Sequence, residues 1–158
     1  FYCGGNDNWV QACELGASMS AASTSGNNIG VLVASEGNSF INVVCEFVDV
    51  PFRVAADVNM FANCRADLSF RHGWQLVDAD ANMFANCRAL NNGRASGNTF
   101  SGFHVDSQSA GNSFVGCQAT LRDGSGGSYK YAFEDHSTPD ANSYSACLGD
   151  YTTGLFGP

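Results

Sequence analysis

NMFANCRA occupies residues 59–66 and recurs letter for letter at residues 82–89. Identity over eight residues marks an internal repeat, and a repeat sets the architecture before any side chain is given a task. Aligned on the leading asparagine, weaker copies begin at Asn8 (NWVQACEL), Asn38 (NSFINVVC), Asn112 (NSFVGCQA) and Asn142 (NSYSACLG), with successive spacings of 30, 21, 23, 30 and 30 residues. The second residue after the asparagine is Val10, Phe40, Phe61, Phe84, Phe114 and Tyr144, and the fifth is Cys13, Val43, Cys64, Cys87, Cys117 and Cys147. The seventh is Leu15, Cys45, Ala66, Ala89, Ala119 and Gly149, so the second copy moves its cysteine by two residues. A shift of two preserves strand parity and breaks helical period. The second and fifth positions have opposite parity, which requires a bend between them.

A second pattern precedes each asparagine from the second copy onward: VLVASE, FRVAAD, WQLVDAD, FHVDSQ and YAFEDH. These runs are rich in β-branched and aromatic residues and are bounded by turn formers. Each repeat therefore reads as strand, tight turn at the asparagine, strand, then a longer loop. A unit this small cannot bury its own apolar face and must stack on its neighbours, about 4.8 Å apart, so that equivalent residues form columns. The leading asparagine is expected to form a ladder there, tolerating left-handed backbone and bonding its amide to the next coil.

The N-x-F-x-N-C-x-A coil, with its asparagine ladder and stacked Phe and Cys, resembles the right-handed parallel β-helix of the pectate-lyase-like superfamily, most of all a bacteriophage tailspike or tail-fibre β-helix. The likeness covers roughly residues 8–150. It implies an all-β, single-stranded parallel β-helix of about six coils, forming one domain over residues 1–158 with terminal segments 1–7 and 151–158. The chain reads as a piece of a longer protein whose neighbours cover the open coil ends. The resemblance further implies a polysaccharide partner, a homotrimer, and a virion-tail or extracellular location. The leucine spacing of a leucine-rich repeat is absent, a β-propeller needs more residues per blade, and no Thr-x-Thr array marks an ice-binding solenoid.

A net charge of −8 with seven Lys and Arg leaves no basic stripe for nucleic acid, and no apolar run is long enough to span a bilayer. Five of the seven cysteines fall in one column and point the same way from parallel strands, whereas a disulfide needs facing Cβ vectors. They read as free buried thiols, with Cys3 unassigned, in a chain folded in bacterial cytosol.

Function is expected on an outer face or in loops. Taking Val33, Val54, Val77, Val105 and Phe133 as one strand column, the next outward residues are Ala34, Ala55, Asp78, Asp106 and Glu134, and a second stripe runs through Glu36, Asp57 and Asp80. Carboxylates on adjacent strands repel and raise one another's pKa unless offset, and their separation suits a glycosidase pair. Asp78, Asp106 and Glu134 are the candidate catalytic acids, with His104 as acid, base or orienting group. Arg53 and Asp80, with Trp74, Tyr129 and Tyr131, are candidate substrate contacts, and Trp9 is a further aromatic. Residues 91–99 and 122–129 are expected to wall a groove. The competing readings of the acids are turn capping, solvation or a subunit contact. No cofactor or metal is expected: the acidic stripe suits calcium best, while His72, His104 and His136 lack zinc-ligand spacing.

The polygalacturonase-like motifs are missing apart from His72-Gly73, and no arginine stands in a lyase context. Three functions are therefore in play. One is a tailspike-like module that binds, and in one version hydrolyses, a bacterial surface polysaccharide; the others are a non-catalytic adhesin or fibre spacer, and a secreted uronan lyase or epimerase.

Overall fold

The computed structural model describes residues 1–16, 28–95, 98–121, 127–138, 141–150 and 154–157. Among these residues there is no helix, and 19 short strands follow one another in a repeating triplet. The first coil lays down β1 (Tyr2–Cys3), β2 (Trp9–Gln11) and β3 (Glu14–Gly16). The second gives β4 (Ile29–Val33), β5 (Ser39–Ile41) and β6 (Val44–Glu46), and the third β7 (Val50–Val54), β8 (Met60–Ala62) and β9 (Arg65–Asp67). Then come β10 (Trp74–Leu76), β11 (Met83–Ala85) and β12 (Arg88–Leu90), followed by β13 (Phe103–Val105), β14 (Ser113–Val115) and β15 (Gln118–Thr120). The last are β16 (Tyr131–Asp135), β17 (Ser143–Ser145), β18 (Leu148–Gly149) and β19 (Gly154–Gly157).

Every third strand joins the same parallel sheet. The first sheet runs β1-β4-β7-β10-β13-β16-β19, the second β2-β5-β8-β11-β14-β17 and the third β3-β6-β9-β12-β15-β18. This all-β arrangement of three parallel sheets, each extended by one strand per coil, is consistent with a solenoid.

Inward residues stack as columns. In the second sheet the rings of Phe40, Phe61, Phe84, Phe114 and Tyr144 lie nearly parallel, with neighbouring centroids 4.6–5.0 Å apart. In the first sheet Phe52, Trp74, Phe103 and Phe133 form a facing column that meets the other edge to face, as between Trp74 and Phe84. Offset stacks and edge contacts are the favoured aromatic geometries. The third sheet contributes Cys45, Ala66, Ala89 and Ala119. Small residues are required there because the start of the first-sheet strand presses against it: a Cβ on Gly102 would stand 2.4 Å from the Ala119 Cβ.

The coil turns at left-handed residues. Between second- and third-sheet strands, Ala12, Asn42, Asn63, Asn86, Gly116 and Ala146 all have positive φ, which is the bend demanded by the parity change. A second left-handed position precedes the repeat asparagine, at Asp7, Gly37, Val58, Ala81 and Gly111. The leading asparagine does not itself take the left-handed conformation. Its amide instead runs along the stack: the Asn38, Asn59, Asn82 and Asn112 backbone N–H groups donate to Oδ1 of Asn59, Asn82, Asn112 and Asn142 at 2.8–2.9 Å.

All seven cysteines are free. Burial pushes the Cys45 thiol up to about 12 and the Cys87 thiol well above its usual value. Cys3 pairs with Val33 in the first sheet and so belongs to the inward Val33, Val54, Leu76 and Val105 column. Among the described residues no helix is long and apolar enough to cross a membrane.

Candidate functional site

Backbone pairing sets the rows of the first sheet, and they differ from the expected ones. Val54 pairs with Leu76, one residue before Val77, and Val105 pairs with Asp135, two residues after Phe133. The three candidate acids consequently occupy different rows. Glu134 stands beside His104. Asp106 follows Val105 in a row with Val77 and His136, whose N–H groups bond to successive coils, and Asp78 lies one residue further on at positive φ.

Most of the acidic stripe is engaged by the main chain. Asp106 accepts from the N–H groups of Asp78 and Gln108 and from Ser109 Oγ at 2.7 Å. Asp57 Oδ1 accepts from Asp80 N–H, and Asp80 Oδ1 from Ala110 N–H, both at 2.7 Å. These carboxylates cap turns from coil to coil, as Asp does where N–H groups lack strand partners. Asp78 and Asp80 are exposed and line an open cleft of about 560 Å³ with Glu36 and Asp57.

Two of the candidate sugar-stacking aromatics are interior. Trp74 is fully buried: it lies flat on Phe52 at 4.0 Å, and its indole N–H donates to the Arg88 carbonyl at 3.0 Å. Its position pairs with Phe52 and Phe103, which places it on the inward parity. Tyr129 is also fully buried, its hydroxyl donating to the Ala89 carbonyl at 2.9 Å. Neither offers a face to a ligand. Tyr131 is half-buried with the Lys130 ammonium 5.0 Å above its ring, and Trp9 is exposed at the other end of the stack. In the expected groove walls, Asn91, Asn92 and Gly93 are buried, and Asn92 Oδ1 accepts from Ser69 N–H; residues 96–97 and 122–126 lie outside the described residues.

The outer face of the first sheet collects a different group. Arg53, Gln75, His104 and Glu134 form one continuous outward row on β7, β10, β13 and β16. His72 and His136 flank it: the His72 ring lies 4.4 Å from that of His104, and the His136 ring 5.4 Å from it on the other side. Glu134, only 5% exposed, accepts from Ser101 Oγ at 2.8 Å and from Lys130 Nζ at 3.4 Å. Its Oε2 is 4.0 Å from His104 Nε2 and its Oε1 is 3.4 Å from His136 Nε2.

The histidine charges are set by surroundings. Burial, with the neighbouring His104 and Arg71, lowers His72 to about 3. Its Nδ1 accepts the Ser101 N–H at 3.0 Å, so the neutral ring carries its proton on Nε2. His104 is lowered by burial, against the pull of Glu134. His72 then shares a cleft of about 290 Å³ with Arg53, Arg71, Gln75 and Phe100, and the Arg71 guanidinium sits 5.8 Å from the Phe100 ring centre. Two guanidiniums, an amide, a neutral imidazole N–H and an aromatic ring thus line one opening.

His104, Glu134 and Arg53 are the expected residues that share this face; Asp78 and Asp80 lie at the turn. His72, His136, Arg71, Gln75, Ser101 and Phe100 were not singled out for it. The usable signal was the spacing of the histidines: 72, 104 and 136 stand 32 residues apart, close to the 29- and 30-residue offsets between paired positions on β10, β13 and β16. No protein-family model, curated protein or solved structure matches this chain.

Proposed function

We propose that the chain is a right-handed parallel β-helix module that binds an acidic polysaccharide across the outer face of its first sheet. The observation that carries this reading is the cleft of Arg53, Arg71, His72, Gln75 and Phe100 in a chain whose net charge is −8. Guanidinium forks match carboxylates in pairs. Gln75 and the His72 N–H suit sugar hydroxyls, and a half-buried Phe100 ring suits the apolar face of a pyranose. A strand-built floor keeps these groups rigid, which favours recognition of an extended polymer. The setting that the tailspike resemblance implies is a bacterial surface polysaccharide met outside the cell or at a virion tail. Turnover would rest on Glu134 with His104, the carboxylate and imidazole that stand side by side on this face.

The test is binding of the purified chain to acidic and neutral polysaccharides, with product release assayed alongside and Arg53→Ala/Arg71→Ala as the comparison. Retention of acidic polymers that is lost in the variant supports the reading. Equal retention by both proteins, or none by the parent, sinks it.

A fibre or spacer role is favoured by a separate observation. The outer face of the second sheet carries Met60 beside Met83, and Ile41, Ala62, Ala85 and Val115 in one row, an apolar surface of the kind that packs subunits side by side. A homotrimer assembled through that face is the corresponding proposal. Sedimentation of the parent against Met60→Lys/Met83→Lys tests it: a monomer in both cases refutes assembly through this sheet.

A further inference from the structure

We propose that His104, Glu134 and His136 form a binding site for one divalent transition-metal ion, with Zn²⁺ as the case to test first, and with at least one coordination position left to solvent or to a ligand oxygen. The proposal is independent of the polysaccharide reading.

Topology brings the three donors together. β13 and β16 are adjacent parallel strands in which His104 and Glu134 are direct partners, and His136, two residues beyond Glu134, returns to the same side. One potential ligand atom from each residue lies within 4.8 Å of the other two. A tetrahedral zinc with bonds of about 2.0–2.1 Å holds its donors about 3.4 Å apart. Glu134 Oε1 is already 3.4 Å from His136 Nε2, and Oε2 is 4.0 Å from His104 Nε2. Closing the His104 gap takes a small shift of the Glu134 carboxylate, which the 42% exposed His136 side chain is free to follow.

The surroundings suit an ion. Ser101 Oγ donates to Glu134 Oε2, the kind of outer hydrogen bond that orients a metal-ligating carboxylate. Lys130, on the same carboxylate oxygen as His136, is the competitor that metal must displace. Its side chain is 40% exposed and free to swing into solvent.

Donor chemistry selects the ion. Two imidazoles and one carboxylate match zinc, cobalt, nickel or copper, whereas calcium and magnesium take oxygen. Thiolates are not at hand, since the buried cysteines belong to the inward columns. Three protein ligands with an open position give a Lewis-acidic centre beside the arginine-lined cleft.

The experiment titrates chelator-stripped full chain with Zn²⁺ alone by calorimetry and with Co²⁺ by visible absorption. Cys13→Ser/Cys147→Ser serves as the background, to remove the two partly exposed thiols. One saturable equivalent is expected, with a cobalt spectrum lacking thiolate charge-transfer bands. His136→Ala, at an exposed position that leaves the core alone, should weaken binding at least about tenfold, and Ser101→Ala about tenfold through the carboxylate it orients. Thermal melts of each variant show whether it is folded. Absence of saturable binding, undiminished binding by folded His136→Ala, or equally tight Ca²⁺ binding overturns the assignment.

Discussion

The backbone N–H of Asn59 donates to Oδ1 of Asn82 at 2.8 Å, across 23 residues and one coil of the stack. Asn82 in turn donates from its amide to the Ala56 carbonyl and to Asn112 Oδ1, both at 3.1 Å, and is 1% exposed. Asn82→Ala removes the acceptor and both donated bonds while leaving buried partners unsatisfied. A buried unsatisfied group costs about 1–3 kcal/mol and each net hydrogen bond about 1. The expected loss is about 2–4 kcal/mol in urea unfolding, and a loss under 1 kcal/mol would mean that the ladder is decoration.

Val58 has φ of 58° and is 60% exposed. A β-branched residue is rare in the left-handed region, where L-residues lose about 1–2 kcal/mol. Val58→Gly relieves that strain at little cost in packing, though the freer unfolded chain takes back about 0.4–1 kcal/mol. We expect a net gain of about 0.5–1 kcal/mol in the same unfolding assay; destabilisation would show that the left-handed corner is not strained.

Cys13 and Cys147 are partly exposed, whereas Cys3, Cys45, Cys64, Cys87 and Cys117 are buried. Thiol reagents attack the accessible thiolate. Native protein should therefore react first at Cys13, more slowly at Cys147, whose thiol the Cys117 contact and burial hold protonated, and at the rest only on unfolding, as read by mass spectrometry of the labelled peptides. Fast labelling of Cys64 or Cys87 would contradict the inward column.

His72 is held neutral to about pH 3, whereas an exposed histidine protonates near 6.5. Between those values the unfolded chain binds a proton that the folded chain refuses. Stability is thus full above pH 6.5 and falls as the pH drops toward 3, with a limit of about 1.4 kcal/mol per pH unit. The ring touches the cleft, and solvent there trims the slope below that limit. His72→Asn keeps an acceptor for the Ser101 N–H and should flatten the pH dependence in chelator-treated protein. An unchanged slope would place the titration elsewhere.

The sequence carried the repeat well because stacking turns equal spacing into equal surroundings. Phe61 and Phe84, Cys64 and Cys87, and Asn59 and Asn82 could each be paired by eye, and the parity change at Asn63 and Asn86 required the left-handed corner found there. The first sheet was harder. Its strands share no invariant letter, and the corners that join it to the second sheet differ: left-handed Asp78 and Ala81 fall between Leu76 and Asn82. An alignment on valines therefore slipped by one residue at Val77 and by two at Phe133, which was enough to merge Asp78, Asp106 and Glu134 into a row that backbone pairing separates. The histidines were missed for the opposite reason. Their interval of 32 comes near the paired offsets of 29 and 30 but matches neither, so the spacing places them on neighbouring coils without showing which rows they share.

Along β10, β13 and β16 the chain divides its labour by parity. Trp74, Leu76, Phe103, Val105 and Phe133 face inward and hold the stack, while Gln75 and His104 between them are free of that duty. An outward residue can therefore change without a compensating change inside, and each added coil supplies another outward position at fixed distance from the last. The sheet acts as a keyboard on which binding chemistry is rewritten one key at a time while the instrument stays in tune.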